Sequence, residues 1–225
     1  FSVRLVDCVG YMGDSAGGQF EDLSPRMVMT PWFDHEIPMT EAAEIGTRKV
    51  ITDHATVGVV VTTDGTITDI PREDYREAEE RVIRELQDIG KPFVVLVNSA
   101  QPEDPRAAAA AAEIQTRYGV TCRCVNCLTL TEEDIGDILR DLLYQFPLRE
   151  LDVFLPEWVD ALPGEHPIRS GLYQEIGEAA SQLTRICALP PCLAALSQGE
   201  NIESAATSTI DLGSGVAQVE IRLPR

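Results

Sequence analysis

An aspartate and a glycine three residues apart, Asp7 and Gly10, close an apolar run that begins at Ser2-Val3. A carboxylate at the end of a buried strand can orient the water shell of a Mg²⁺ ion. A glycine just beyond it leaves a backbone N–H open to the γ-phosphate of a nucleotide. Asp-x-x-Gly fixes only two positions in four, and the same residues also make an ordinary strand-exit turn. None of the 225 residues forms a Gly-x-x-x-x-Gly-Lys-Ser/Thr phosphate loop to complete the pair.

Three further polar segments follow apolar runs. Thr62-Thr63-Asp64-Gly65-Thr66 reads first as a polar turn and second as a nucleotide edge or an oligomer contact. Asn98 ends a strand at the position where guanine-specific enzymes place Asn/Thr-Lys-x-Asp. This chain has Asn98-Ser99-Ala100-Gln101 there, without the lysine or the aspartate, which argues against guanine selection by that route. Asn98 itself stays a candidate for base contact, with Asn126-Cys127-Leu128 beside it. Cys122, Cys124 and Cys127 have metal-like spacing, but no histidine is near, and alternation puts Cys122 and Cys124 on one face of a strand. Buried thiols in a reducing compartment fit better. The charged stretch Glu73 to Glu85 reads as a solvated helix face supported by Arg72, Arg76, Arg81 and Arg84.

The elements that must hold these groups follow from periodicity. Val3–Val9, Val57–Thr62, Phe93–Asn98 and Val120–Val125 are short β-branched runs, as expected for strands covered on both faces. Between them Thr40–Asp53, Arg72–Ile89, Pro105–Tyr118 and Thr131–Phe146 repeat apolar residues at helical spacing. Thr40 is the expected cap of the first, and the third holds six consecutive alanines. Strand–helix alternation of this kind predicts an α/β fold, a parallel sheet flanked by helices, whose binding residues gather beyond the carboxyl ends of the strands. Tyr11–Pro38 is a long loop rich in glycine and proline, placed where a nucleotide-sensitive switch would lie.

After Pro147 the pattern changes to a smaller α+β module. Leu151–Pro156 alternates as a strand, and Ile168–Leu189 reads as helical and is ended by Pro190-Pro191. Thr209–Leu212 and Val216–Leu223 form a hairpin around Gly213-Ser214-Gly215. The expected division is 1–148 and 149–225.

A formal charge of −19 argues against nucleic-acid or anionic-lipid binding and serves solubility. No apolar run approaches the ~20 residues of a membrane-spanning helix. No secretory signal is expected either, because Phe1 opens in mid-strand.

Several segments together resemble the stage IV sporulation protein A family. They are Asp7-Cys8-Val9-Gly10-Tyr11, Thr30-Pro31-Trp32, Glu41 through Ile51, Thr62 through Ile67, Ala78-Glu79-Glu80-Arg81-Val82 and Gly90-Lys91-Pro92-Phe93. The resemblance covers nearly the whole chain and weakens after about Ala161. It implies an incomplete P-loop NTPase-type sheet followed by a middle domain, related to translation-factor GTPases but using ATP. It implies a spore coat morphogenetic scaffold in which ATP hydrolysis, with Mg²⁺, drives self-assembly into a static layer on the forespore. The implied location is the mother-cell cytoplasm at the outer forespore membrane. The implied partners are other copies, a small amphipathic membrane peptide and spore coat proteins. The family's metal-side aspartate falls on Asp7 and its γ-phosphate glycine on Gly10. The phosphate loop and the sensor threonines are expected upstream of Phe1, so the chain reads as an internal fragment, inactive alone. A GTPase switch and a non-enzymatic interaction module remain the alternatives.

Overall fold

The computed structural model describes residues 3–12, 17–21, 24–199 and 201–224. Phe1 and Ser2 of the expected first strand, and positions 13–16 and 22–23 of the expected switch loop, lie outside the described residues. The chain separates into two compact units, Phe1–Leu142 and Leu143–Arg225.

In the first unit the long loop carries two small antiparallel pairs: β1 (Phe20–Glu21) with β2 (Ser24–Pro25), and β3 (Met27–Val28) with β4 (Ile37–Pro38). Helix α1 (Met39–Lys49) follows and continues as a wider turn over Val50–His54, closed by Ala55 N–H on Val50 O at 2.9 Å. Thr40 is not its cap. Pro38 takes that place without a side-chain bond, because its fixed φ already sets the entry of the chain. Lys91 donates to the carbonyls of Ile51, Thr52 and Ala55 (2.6, 2.9 and 2.5 Å), which anchors the end of this segment.

Strands β5 (Gly58–Thr63), β6 (Phe93–Asn98) and β7 (Cys122–Val125) form a parallel sheet in the order β5-β6-β7. The alternation of β6 explains both covering layers. Phe93, Val95 and Val97 pack with Ile83 and Leu86 of α2 (Arg72–Asp88) and Ala110, Ala111 and Ile114 of α3 (Pro105–Tyr118). Val94 and Leu96 face the other way, onto Ile138 and Leu142 of α4 (Glu132–Tyr144). The alanines of α3 keep the helix close to the sheet. Its ends follow the local signals: Asp104 caps the Arg106 N–H at 2.8 Å, Pro105 opens the first turn, and Gly119 closes it at φ +64°. Helix α4 opens on a reciprocal pair, with Asp134 accepting from Thr131 N–H (2.9 Å) and Thr131 Oγ1 from Asp134 N–H (3.2 Å).

The expected strand Val3–Val9 is not formed. Residues 3–10 run without strand pairing among the described residues, and Leu5 and Val9 are exposed. A hydrophobic run supplies strand propensity, but a strand also needs a backbone beside it to take its N–H and C=O groups. The outer edge of β5, paired only to β6 among the described residues, is open as well.

The second unit is built on β10 (Val216–Arg222). It pairs in parallel with β8 (Glu150–Phe154) and antiparallel with β9 (Ser204–Asp211). Ala217, Val219 and Ile221 point from β10 into a core with Val159 of the short α5 (Glu157–Asp160), Leu172 of α6 (Pro167–Ser181), and Leu189, Leu193 and Leu196 of α7 (Leu189–Leu196). The hairpin is longer than the alternation suggested. Pro190-Pro191 does not end a helix but sits in the first turn of α7, where a missing N–H costs no bond. No helix among the described residues is long and apolar enough to cross a membrane.

Candidate functional site

The parallel sheet brings three loops together at its carboxyl edge, and side chains join them. Asp64, just past β5, accepts from Ser99 Oγ (2.7 Å) just past β6, and from Thr66 N–H (3.0 Å) and Thr66 Oγ1 (2.6 Å). Thr66 Oγ1 in turn accepts from Ala100 N–H at 2.9 Å. Asn98 Oδ1 accepts from Cys127 N–H (3.0 Å), past β7, and Asn126 Nδ2 donates to Ala100 O (3.3 Å). Burial raises the Asp64 pKa, but the bonds from Thr66 and Ser99 outweigh it and hold the carboxyl below its ordinary range. Thr62–Thr66 is therefore more than a polar turn: it is one side of a fastened edge. Asn98 spends its carboxamide oxygen on the chain itself.

A second group of residues lies on the open side of β5. A cavity of about 420 Å³ is bordered by Val6 to Tyr11, by Thr47 and Val50 of the α1 segment, by Val57 to Thr62, and by Tyr75, Glu79 and Val82 of α2. Asp7 and Gly10 both border it and Asn98 does not, so the three expected site residues fall into two places. Asp7 is exposed, and no cation pairs with it among the described residues. Gly10 has φ +82°, a conformation only glycine adopts without strain, and its N–H donates to Thr47 Oγ1 at 3.0 Å. Tyr11 lies under the Arg81 guanidinium (4.9 Å to the ring centre), and Arg81 forks onto Glu44 of α1.

Two residues of the cavity wall, Thr62 and Glu79, are joined by Arg72 behind them. Arg72 reaches Glu79 through two bonds (2.6 and 2.9 Å) and donates to Thr62 Oγ1 at 3.1 Å. This changes the reading of the charged helix. Arg72 pairs seven residues along, Arg76 reaches Glu113 of α3, and Arg81 reaches Glu44. Only Arg84 with Glu80 has the expected four-residue spacing among these arginines. The spacing rule sees neighbours on one helix, and α2 faces two others.

Asp7 brings an exposed carboxylate to the cavity and Gly10 a backbone N–H that is held by Thr47. The residues bordering the cavity include no lysine or arginine to balance the rest of a triphosphate. No group of three or more His, Cys, Asp or Glu side chains could hold a metal among the described residues. Cys122 is packed in the core, where burial pushes its pKa up to about 12. Sequence reasoning did not single out Thr47, Ser99 or the Tyr11–Arg81–Glu44 contact. The one available signal was that Thr47 and Glu44 lie within the family-like segment Glu41–Ile51.

The family model described as stage IV sporulation protein A, ATPase domain, matches residues 1–147, and that of the middle domain matches residues 148–225. The chain is 43% identical over 223 residues to stage IV sporulation protein A of Bacillus subtilis (strain 168), which covers 99% of this chain and 45% of that relative. Identity to the protein of the same name in Bacillus anthracis is 42% over 223 residues (99% of this chain, 45% of the relative). Against that of Clostridioides difficile (strain 630) it is 37% over 220 residues (98% and 45%). The chain thus spans less than half the length of these relatives. No solved structure matches it.

Proposed function

We propose that this chain, which belongs to the stage IV sporulation protein A family, supplies the metal and γ-phosphate side of an ATPase whose work is assembly during sporulation. The observation that carries the reading is the placement of Asp7 and Gly10. Both border one cavity beside the open edge of β5, with the Asp7 carboxylate uncovered and Gly10 in the left-handed conformation.

In this role Asp7 holds Mg²⁺ through water, the metal neutralising charge on the phosphates, and the Gly10 N–H turns toward the γ-phosphate. Asn98 stands at the base side, where its fixed carboxamide shapes the edge without the lysine and aspartate that select guanine. The segment Tyr11–Pro38 leads from Gly10 into α1 and is the switch. The division into a nucleotide module up to residue 148 and a middle module from 149 belongs to the same proposal. ATP turnover drives copies of the protein into a coat scaffold on the mother-cell side of the forespore. A small amphipathic membrane peptide and spore coat proteins are its partners.

The test is Asp7→Ala in a full-length protein containing this chain. Mg²⁺-dependent release of phosphate from ATP is expected to vanish, and unchanged turnover would refute the role of Asp7. Competition between ATP and GTP for that protein separates ATP use from a GTPase switch. The 225 residues alone carry no lysine-bearing phosphate loop and are expected to show no turnover.

A further inference from the structure

The backbone N–H of Gly10 already has an acceptor in this site. The Gly10 N–H that would meet a γ-phosphate donates instead to Thr47 Oγ1 at 3.0 Å, and Thr47 is only 2% exposed on α1. One N–H does not make two full-strength bonds, so binding phosphate means leaving Thr47. Leaving also strands a buried hydroxyl, which adds to the cost. The adjoining residue is held by the same helix. Tyr11 lies against Arg81, whose guanidinium forks onto Glu44, three residues before Thr47. Helix α1 therefore grips Gly10 and Tyr11 at two points, one direct and one through Arg81.

We propose that Thr47 is a positioning residue that competes with the γ-phosphate for the Gly10 N–H, so that helix α1 is bound to Gly10 or released from it according to the nucleotide. This rests on the reading of Gly10 as a phosphate contact. It assigns Thr47 the task of setting the preference between triphosphate and diphosphate, and it makes α1 the element that moves. A diphosphate has no γ-phosphate to take the N–H, so the Thr47 bond persists with it.

The experiment compares full-length protein with its Thr47→Val and Thr47→Ser variants, using a non-hydrolysable ATP analogue and ADP, each with Mg²⁺. Valine keeps the β-branched shape and removes the acceptor, whereas serine keeps the hydroxyl. The expected result is analogue binding tightened about two- to tenfold in Thr47→Val, the worth of one hydrogen bond, with ADP binding unchanged. Thr47→Ser is expected to stay close to the unsubstituted protein. An unchanged analogue-to-ADP ratio in Thr47→Val overturns the inference, as does an equal shift for both nucleotides. Amide exchange over 39–49 in the unsubstituted protein gives a second readout that needs no variant. Faster exchange with analogue than with ADP supports release of α1, and equal exchange overturns it. A full-length protein that binds neither nucleotide overturns the proposed function itself, which is a different result from an unchanged ratio.

Discussion

The fully buried hydroxyl of Ser99, one residue past β6, donates to Asp64, one residue past β5, at 2.7 Å. It fastens two loops 35 positions apart at the edge where a parallel sheet presents its polar groups. That bond, with those from Thr66, gives the edge a fixed shape that depends on the charge of Asp64.

The first prediction is a pH dependence. The Asp64 pKa is depressed in the folded chain, so its stabilising contribution is complete above the ordinary carboxylate value and is lost as pH falls through the folded value. Asp64→Asn should cost about 1 kcal/mol at pH 6, allowing for solvent screening of a partly exposed group. The gap between the two proteins, measured by urea denaturation, should narrow below about pH 4. A gap independent of pH would contradict this account.

The Arg72–Glu79 pair makes a sharper case because its side chains are 11% and 4% exposed. Glu79→Ala leaves a buried guanidinium without its carboxylate and is expected to destabilise by about 3–5 kcal/mol. The double variant Arg72→Met, Glu79→Leu removes both charges and should recover most of that loss. Chemical denaturation of the parent, Arg72→Met, Glu79→Leu and the double variant tests whether the two changes are strongly non-additive.

Gly65 has φ +89°, and a Cβ there would stand 3.1 Å from the Arg72 N. Gly65→Ala should therefore cost at least about 1–2 kcal/mol from the backbone conformation alone, before any shift of α2. Gly90 has φ +68° with open space around it, so Gly90→Ala measures the conformational part by itself. Thermal melts of the two variants should place Gly65→Ala lower.

Cys122 is the thiol to probe chemically. With its pKa raised to about 12, chiefly by burial, it carries almost no thiolate at pH 8. Iodoacetamide should leave it unmodified in the folded chain and modify it after denaturation. Mass spectrometry of tryptic peptides reads the difference, and ready alkylation of folded protein would show that the β6–β7 core opens easily.

Local order was legible wherever neighbours in sequence decide it. Phe93–Asn98 becomes a strand because its side chains suit a sheet covered on both faces, and Val57–Thr62 forms its neighbour although Val59 and Val61 remain exposed on one face. Pro105–Tyr118 becomes a helix within the stated bounds because proline, alanine and Gly119 mark its start, body and end. Asp7 and Gly10 stood out because Asp-x-x-Gly has a chemical meaning, and a glycine was the residue to expect at φ +82°.

Other features depend on elements far apart in sequence. Val3–Val9 has the composition of a strand but pairs with no other strand among the described residues. Pro190-Pro191 opens a helix instead of ending one, because only the position within the turn decides what a missing N–H costs. Thr47 on Gly10, Arg81 between Tyr11 and Glu44, and Ser99 on Asp64 join positions more than 30 residues apart. By itself the sequence determined the kind of most elements and, as at α3, the ends that local residues mark. Tertiary structure decided which donor meets which acceptor, because hydrogen bonds and ion pairs act over a few ångströms and only packing brings such distant groups within reach.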